Sequence, residues 1–401
     1  MNILLVNKFL FPNGGAETYI FKLGNYMKAK GHKVEYFGME HERRCVGNRV
    51  NAYTNPMDFH KGSRIAKLMY PFKTIYSSNA RRKIRLVLDD FNPDVVHLNN
   101  FNFQLTPSIL YEIRKYKKHT GNKTKIVMTA HDSQLVCPNH MMQNPITKQL
   151  CTKCLDGKMI NCVIGKCIHG SIIKSVIGMM EGYIYKYLRT YEMIDTIISP
   201  SNFLAEKLGT NLILKNKIVM LRNFVDGSVE LSGEKEDYVL YFGRYSFEKG
   251  IGTLLTACKS LSEIPFVFAG NGPLEQEVNM IDNIKNVGFI SGEQLQDTIQ
   301  KARFTILSSE WYENCPFTVM ESQMYGTPVL GSDLGGIPEL IAVGKTGELF
   351  KSGDVEDLRS KIVKLWSDKE RTKAYSKNCE NIVFDTIDIY YEKIMKMYKY
   401  D

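Results

Sequence analysis

The sequence has no long hydrophobic run. Its longest nearly apolar stretch, Ile172 to Met180, is broken by Lys174 and falls far short of the ~20 residues that a membrane-crossing helix needs. The amino terminus, Met1-Asn2-Ile3-Leu4-Leu5-Val6-Asn7, lacks the basic lead, apolar core and small-residue cleavage site of a secretion signal, and reads as a buried strand. The expectation is a cytoplasmic protein, at most resting on the inner face of the plasma membrane. No low-complexity tract or short internal repeat is present, which argues against a solenoid. Gly-x-Gly-x-x-Gly is missing after the first strand, which argues against a dinucleotide oxidoreductase. The nine cysteines are an odd number without a secretion signal, so a disulfide scaffold is not expected.

What is present is enough chain for two cores. A length of 401 residues with 44% apolar and 24% charged residues suits two globular α/β domains. In the first half, apolar β-rich runs at Ile3–Asn7, Val34–Gly38, Val95–Leu98, Lys125–Ala130, Thr196–Ser199 and Lys217–Leu221 alternate with helical patterns such as Ala16–Lys30 and Thr106–Tyr116. Such alternation predicts a doubly wound parallel sheet with helices on both faces. The chain turns polar from Val225 to Asp237, which reads as a linker. The rhythm then restarts, with strands expected at Tyr238–Gly243, Phe266–Gly270, Asn286–Ile290, Phe304–Ser308 and Pro328–Ser332, and helices at Gly252–Ser260 and Phe317–Tyr325. The expected division is a first domain over 1–228, a second over 237–384, and a terminal helix within 385–401 that packs back on the first. That helix carries Ile387, Tyr390, Tyr391, Ile394 and Met395 at helical spacing and needs a partner. Ligands of doubly wound sheets sit at the carboxyl ends of the strands, so the expected site is a cleft between two such edges.

The net charge is +9, and Arg81, Arg82, Lys83 and Arg85 belong to a basic segment starting near Lys61. Such a segment meets nucleic acid, an anionic membrane or a phosphorylated substrate, or is a solvated helix face. No nucleic-acid module accompanies it, so no nucleic-acid partner is expected.

The second half holds the chemistry. After the strand ending at Gly243 come Arg244 and, five residues on, Lys249-Gly250. A guanidinium fork and an ammonium on one loop suit phosphate oxygens. Gly270-Asn271-Gly272-Pro273 and Gly335-Gly336-Ile337-Pro338-Glu339 are turns whose backbone can approach a ligand. Between them, Glu313 and Glu321 bracket Asn314 and Pro316, with Pro316 expected in the first turn of a helix. The amino end of that helix offers N–H groups to an anion. Glu321 is flanked by apolar residues, and a carboxylate on a buried face needs a partner.

This series resembles the nucleotide-binding domain of glycosyltransferase family 4, the retaining enzymes of glycosyltransferase B (GT-B) architecture. Gly243-Arg244…Lys249-Gly250, Ala269 to Pro273, Glu313-x7-Glu321, Gly326-Thr327-Pro328-Val329 and Gly335 to Glu339 stand in the family's order. Gly14-Gly15-Ala16-Glu17, His131-Asp132, Ser199-Pro200-Ser201 and Asn223 to Asp226 match in the first half. The resemblance implies a retaining hexosyltransferase that moves sugar from a UDP- or GDP-sugar to a saccharide or polyprenyl-linked acceptor, in the building of a cell-surface polysaccharide. It implies that Arg244 and Lys249 bind the donor diphosphate without a catalytic metal, that Glu321 takes the ribose and that Glu313 holds the transferred sugar. The backbone at Phe317 and Thr318 would cap the phosphate, and the base would lie near Gly270–Gly272, Phe289 and Ile290. Gly14 and Gly15 would close over the substrates, and His131 would face the reacting carbon. A nucleotide-sugar epimerase, a phosphorylase of the same architecture, and a non-catalytic partner in a biosynthetic complex are the rival readings.

Two segments depart from the plainest family pattern. Cys151, Cys154, Cys162 and Cys167, with Cys137 nearby, crowd a short insertion at about 137–170. Structural zinc on the first four is one reading, and free buried thiols or redox pairs are the others. Lys174 to Arg189 mixes basic ends with apolar and tyrosine residues, which suits either a membrane interface or a helix packed on its own sheet.

Overall fold

The structure, a computed structural model, describes residues 1–55, 74–225 and 234–399. The expected linker therefore lies largely outside the described residues, as does the start of the basic segment. Two compact units result: Met1 to Arg222 joined by the chain from Ile387 onward, and Asn223 to Thr386.

The sheet of the first unit comprises β1 (Asn2–Val6), β2 (Lys33–Phe37), β3 (Val95–Leu98), β4 (Lys125–Thr129), β5 (Thr196–Ser199) and β6 (Ile218–Met220). Its order is β2-β1-β3-β4-β5-β6, parallel throughout. Ile3, Leu4, Leu5 and Val6 are all fully buried, because helices cover both faces and leave β1 no solvent side. The chain runs outward from β1 to β2 on one side and from β3 onward on the other. The switch point therefore falls between β1 and β3. Helices here start where hydroxyls cap them: Ser77 accepts from the Ala80 N–H, and Ser171 from the Lys174 N–H.

The basic residues Arg81 to Arg85 lie on the helix Ser78–Phe91, whose opposite face (Ala80, Ile84, Val87, Leu88, Phe91) is core. Arg81 pairs with Glu112 at 2.7 Å, and Arg85 with Asp89 at 2.7 Å. Much of the charge is thus answered within the unit.

The terminal helix Ile387–Tyr398 belongs to the first unit. Its tyrosines enter a buried polar chain as well as an apolar one. The Tyr390 and Tyr19 hydroxyls lie 2.7 Å apart, and Tyr19 reaches Thr129 at 3.0 Å. His97 bridges from Thr129 Oγ1 at 2.8 Å to the Tyr398 hydroxyl at 2.6 Å.

The second unit repeats the design with β7 (Val239–Phe242), β8 (Phe266–Ala269), β9 (Ile284–Gly288), β10 (Phe304–Leu307), β11 (Val329–Ser332) and β12 (Gly347–Phe350). The order β12-β11-β10-β7-β8-β9 is again parallel, with the switch point between β7 and β10. Strand β9 starts two residues ahead of the expected Asn286, because Ile284 already pairs with Phe266 at the start of β8; a register shift at Phe268/Ala269 then pairs Ala269 with Gly288. Strand β12 escaped the pattern because Glu348 interrupts it. That carboxylate is buried and accepts a hydrogen bond from the Tyr375 hydroxyl at 2.8 Å, with Arg371 at 3.6 Å.

Candidate active site

The polar residues of the second unit gather where its sheet divides. Strand β7 ends at Phe242, and Gly243 and Arg244 follow at its carboxyl end; β10 ends at Leu307 beside it and runs into Ser308 to Glu313. Neighbouring strands whose connections depart in opposite directions leave a crevice at this edge.

Lys249 closes a short turn, Phe247–Lys249, and its ammonium forms an ion pair with Glu313. Trp311 Nε1 and Ser309 Oγ also donate to Glu313 Oε1, each at 2.9 Å. Lys249 lies over the Trp311 ring, 5.4 Å from its centroid. Burial pushes the Glu313 carboxyl up, but the Lys249 charge and the three donors outweigh it and hold its pKa below the usual value. Trp311 and Ser309 were not singled out in the sequence. Their position within four residues of Glu313 was the available signal.

The backbone fixes this loop tightly. Gly250 has φ +68°, and a Cβ there would stand 1.8 Å from the Ser308 carbonyl oxygen. Gly335 has φ +63°, and a Cβ would stand 2.4 Å from the Glu313 carbonyl, which accepts the Gly336 N–H at 2.7 Å. The glycine turns at 250 and 335 thus hold Glu313 from two sides.

Arg244 is exposed, and its guanidinium has no ion-pair partner among the described residues. Its carbonyl accepts the buried Tyr241 hydroxyl at 2.9 Å, which anchors the loop. Gly270, Asn271 and Gly272 follow β8, and the Asn271 carbonyl accepts the Tyr245 N–H at 2.8 Å. Phe289 and Ile290 follow β9; Phe289 is 74% exposed and Ile290 is buried. Helix Phe317–Met324 follows Asn314 and starts at the expected Phe317, with Pro316 as its cap residue rather than in its first turn. No side chain caps it, which leaves the Phe317 and Thr318 N–H groups without a protein acceptor among the described residues. Glu321 is half-buried rather than buried, since its neighbours Val319, Met320, Ser322 and Gln323 form the inner face. The structure thus joins Lys249 directly to Glu313 and sets both beside an open helix end.

In the first unit, Gly14 precedes the helix Gly15–Ala29, and both glycines are exposed. Glu17, buried behind them, accepts from Asn7 Nδ2 at 2.9 Å. His131 follows β4, contacts Asn99 Oδ1 at 2.9 Å and meets the Tyr19 ring edge-on at 5.1 Å. Burial pulls its pKa down to about 3, so it is neutral at physiological pH. The next residue, Asp132, is pushed up to about 6 by burial, against Lys8 and the Gln134 N–H.

Cys137, Cys151, Cys154, Cys162 and Cys167 line one small void. Among the described residues, however, no group of three or more His, Cys, Asp or Glu side chains is placed to hold a metal. The reading of structural zinc on Cys151, Cys154, Cys162 and Cys167 therefore finds no ligand set, and the alternative of free buried thiols stands. The thiols are free, and burial pushes Cys137 to about 11 and Cys154 to about 12, so those two stay protonated and behave as small apolar groups.

Residues 13–228 match the family described as Glycosyltransferase Family 4, and residues 227–381 match Glycosyl transferases group 1. The chain belongs to glycosyltransferase family 4. This glycosyltransferase is 25% identical over 202 residues to an uncharacterized glycosyltransferase of Methanocaldococcus jannaschii, covering 49% of this chain and 56% of that protein. It is 29% identical over 143 residues to an amylovoran biosynthesis glycosyltransferase of Erwinia amylovora, covering 32% and 35%. The matches thus span less than two thirds of these relatives. An Anabaena protein, HepE, solved with UDP and glucose, aligns over 99% of both chains at 14% identity with a TM-score of 0.67, which shows a shared GT-B fold. Among the described residues of the glycosyltransferase, no helix is long and apolar enough to cross a membrane.

Proposed function

We propose that this glycosyltransferase is retaining and moves a hexose from a UDP- or GDP-sugar to a saccharide or polyprenyl-linked acceptor during assembly of a cell-surface polysaccharide. The observation that carries the reading is the Lys249–Glu313 pair at the β7/β10 switch point, next to an uncapped helix end. A diphosphate there draws Lys249 and Arg244 to its oxygens and takes the Phe317 and Thr318 N–H groups. Its negative charge competes with Glu313 for the ammonium, which frees the carboxylate to accept hydroxyls of the transferred sugar. Glu321 accepts the ribose hydroxyls, and the base lies along Gly270–Gly272, Phe289 and Ile290. Gly14, Gly15 and the neutral His131 serve the sugar and acceptor side.

In the reaction the bond between the anomeric carbon and the phosphate oxygen breaks. The acceptor oxygen forms its bond on the same face, and its proton passes to the departing phosphate. The cations stabilise charge growing on the leaving group, so no catalytic metal is required. The HepE structure with UDP and the amylovoran relative support the donor class and the setting. Helix Ile172–Tyr187 exposes Ile172, Ile173, Met180 and Tyr187 alongside Lys174 and Lys186, which supports peripheral contact with an anionic membrane.

The test is transfer from UDP- and GDP-sugars by the wild type, Lys249→Ala and Arg244→Ala. Each variant is expected to lose about 10²–10³ in kcat. Product NMR is expected to show the donor's anomeric configuration. Unchanged rates in both variants, or an inverted product, would overturn the proposal.

A further inference from the structure

A cavity of about 270 Å³ lies within the first unit, and nothing in the proposed donor chemistry uses it. Two side chains that line it carry buried oxygens without a partner among the described residues. Glu181 is 5% exposed and Asn102 4%; among the described residues neither Glu181 Oε1 nor Asn102 Oδ1 has a hydrogen-bond partner. Buried polar oxygens in native proteins are normally paired, and a pair left open on one cavity wall marks a place for donors from a ligand.

The helix Ile172–Tyr187 is shaped to make this room. Its buried face is Ser175, Gly178, Glu181 and Tyr185, while Ile172, Ile173 and Met180 are exposed. That reverses the usual burial of a surface helix. Gly178, three residues before Glu181 on the buried face, and Gly182, the residue after it, both line the cavity. A Cβ on Gly178 would stand 2.3 Å from Ile168 Cδ1. The opposing walls are apolar: Leu135, Leu155, Met159, Leu212 and Ile213. Three of the other lining residues, Gln134, Val136 and His140, belong to the loop that leaves β4 after His131. The cysteine-bearing insertion, absent from the plainest family pattern, supplies Cys137, Leu155 and Met159.

We propose that this pocket binds one neutral sugar ring of the acceptor, with its hydroxyls donating to Glu181 and Asn102 and its apolar face against Leu155, Leu212 and Ile213. A hydroxylated ring matches two buried oxygens in a lining that mixes apolar side chains with polar ones such as Gln134, Tyr191 and Asn211. Burial raises the Glu181 carboxyl to about 8, so at neutral pH it is uncharged and suits hydroxyls without needing a cation. The acceptor role rests on the transferase reading above; binding of a sugar in the pocket does not.

The test is saturation-transfer NMR of the full chain with methyl glycosides of glucose, galactose, mannose and N-acetylglucosamine. Wild type, Glu181→Leu and Leu212→Trp are compared. Leu212 is 81% exposed at the rim, so tryptophan there narrows the mouth without disturbing the core. At least one glycoside is expected to bind the wild type, and both variants to bind it about tenfold more weakly or worse. A UDP thermal shift, read in parallel, is expected to be equal in all three. Absence of binding by every glycoside, or binding undiminished in both variants, overturns the pocket assignment. Loss of the UDP shift in the wild type would instead overturn the donor reading and leave the pocket result standing.

Discussion

At Glu313, burial and pairing act in opposite directions, and pairing wins because three side chains donate to one oxygen. Replacing it with glutamine keeps the shape, removes the charge that balances Lys249 and, in the proposed role, weakens the grip on sugar hydroxyls. Glu313→Gln is expected to lower kcat by about 10²-fold while UDP affinity changes little, which donor-saturation kinetics and calorimetry separate. A smaller change tests the scaffold. Gly250→Ala places a methyl group 1.8 Å from a backbone oxygen at φ +68°, so both conformation and space oppose it. It is expected to cost more than the ~1 kcal/mol of a compatible glycine replacement, measured by urea unfolding. Glu313 was singled out in the sequence by its spacing to Glu321. The donors at Trp311 and Ser309 were not, because side-chain direction within a loop follows from the turns at Gly250 and Gly335.

The terminal helix shows what an element-scale pattern leaves out. Its apolar spacing announced a buried face, yet the face is sealed by the chain Tyr390–Tyr19–Thr129–His97–Tyr398. His97 is fully buried, and burial, aided by neighbouring His131, pulls its pKa to about 3. Its unfolded counterpart titrates near 6.5. Between those values the unfolded chain takes the proton first, so this group costs stability as pH falls from about 6.5 toward 3. His97→Gln removes that dependence. Wild type is expected to lose stability relative to His97→Gln through this window, and parallel melting curves at pH 7 and pH 4.5 would refute it. The helix Ile172–Tyr187 was legible as a helix. Its reversed burial was not, because a sequence pattern shows which residues share a face but not which face meets the protein.

At the scale of the molecule, the chain leaves its first unit at Arg222 and returns to it at Ile387. Removing everything after Thr386 strips the first unit of Tyr390, Ile394 and Tyr398, each buried to within 1% of full burial. Hydrogen exchange is expected to accelerate in β1, β3 and β4, while β7, β8 and β10 keep their protection. Equal acceleration in both units would contradict the division.

The strand–helix alternation and the parallel strand type were open to a linear reading, because each rests on neighbours in sequence: apolar runs separated by turn glycines and helical patterns. By itself the sequence determined a family 4 glycosyltransferase with two parallel-sheet units. Tertiary structure alone decided that Lys249 meets Glu313 across 64 residues, that five thiols line one void without a metal-holding set among the described residues, and that Glu181 and Asn102 line one pocket. These depend on where distant segments come to lie, and the register and packing that place them are collective properties of the folded chain.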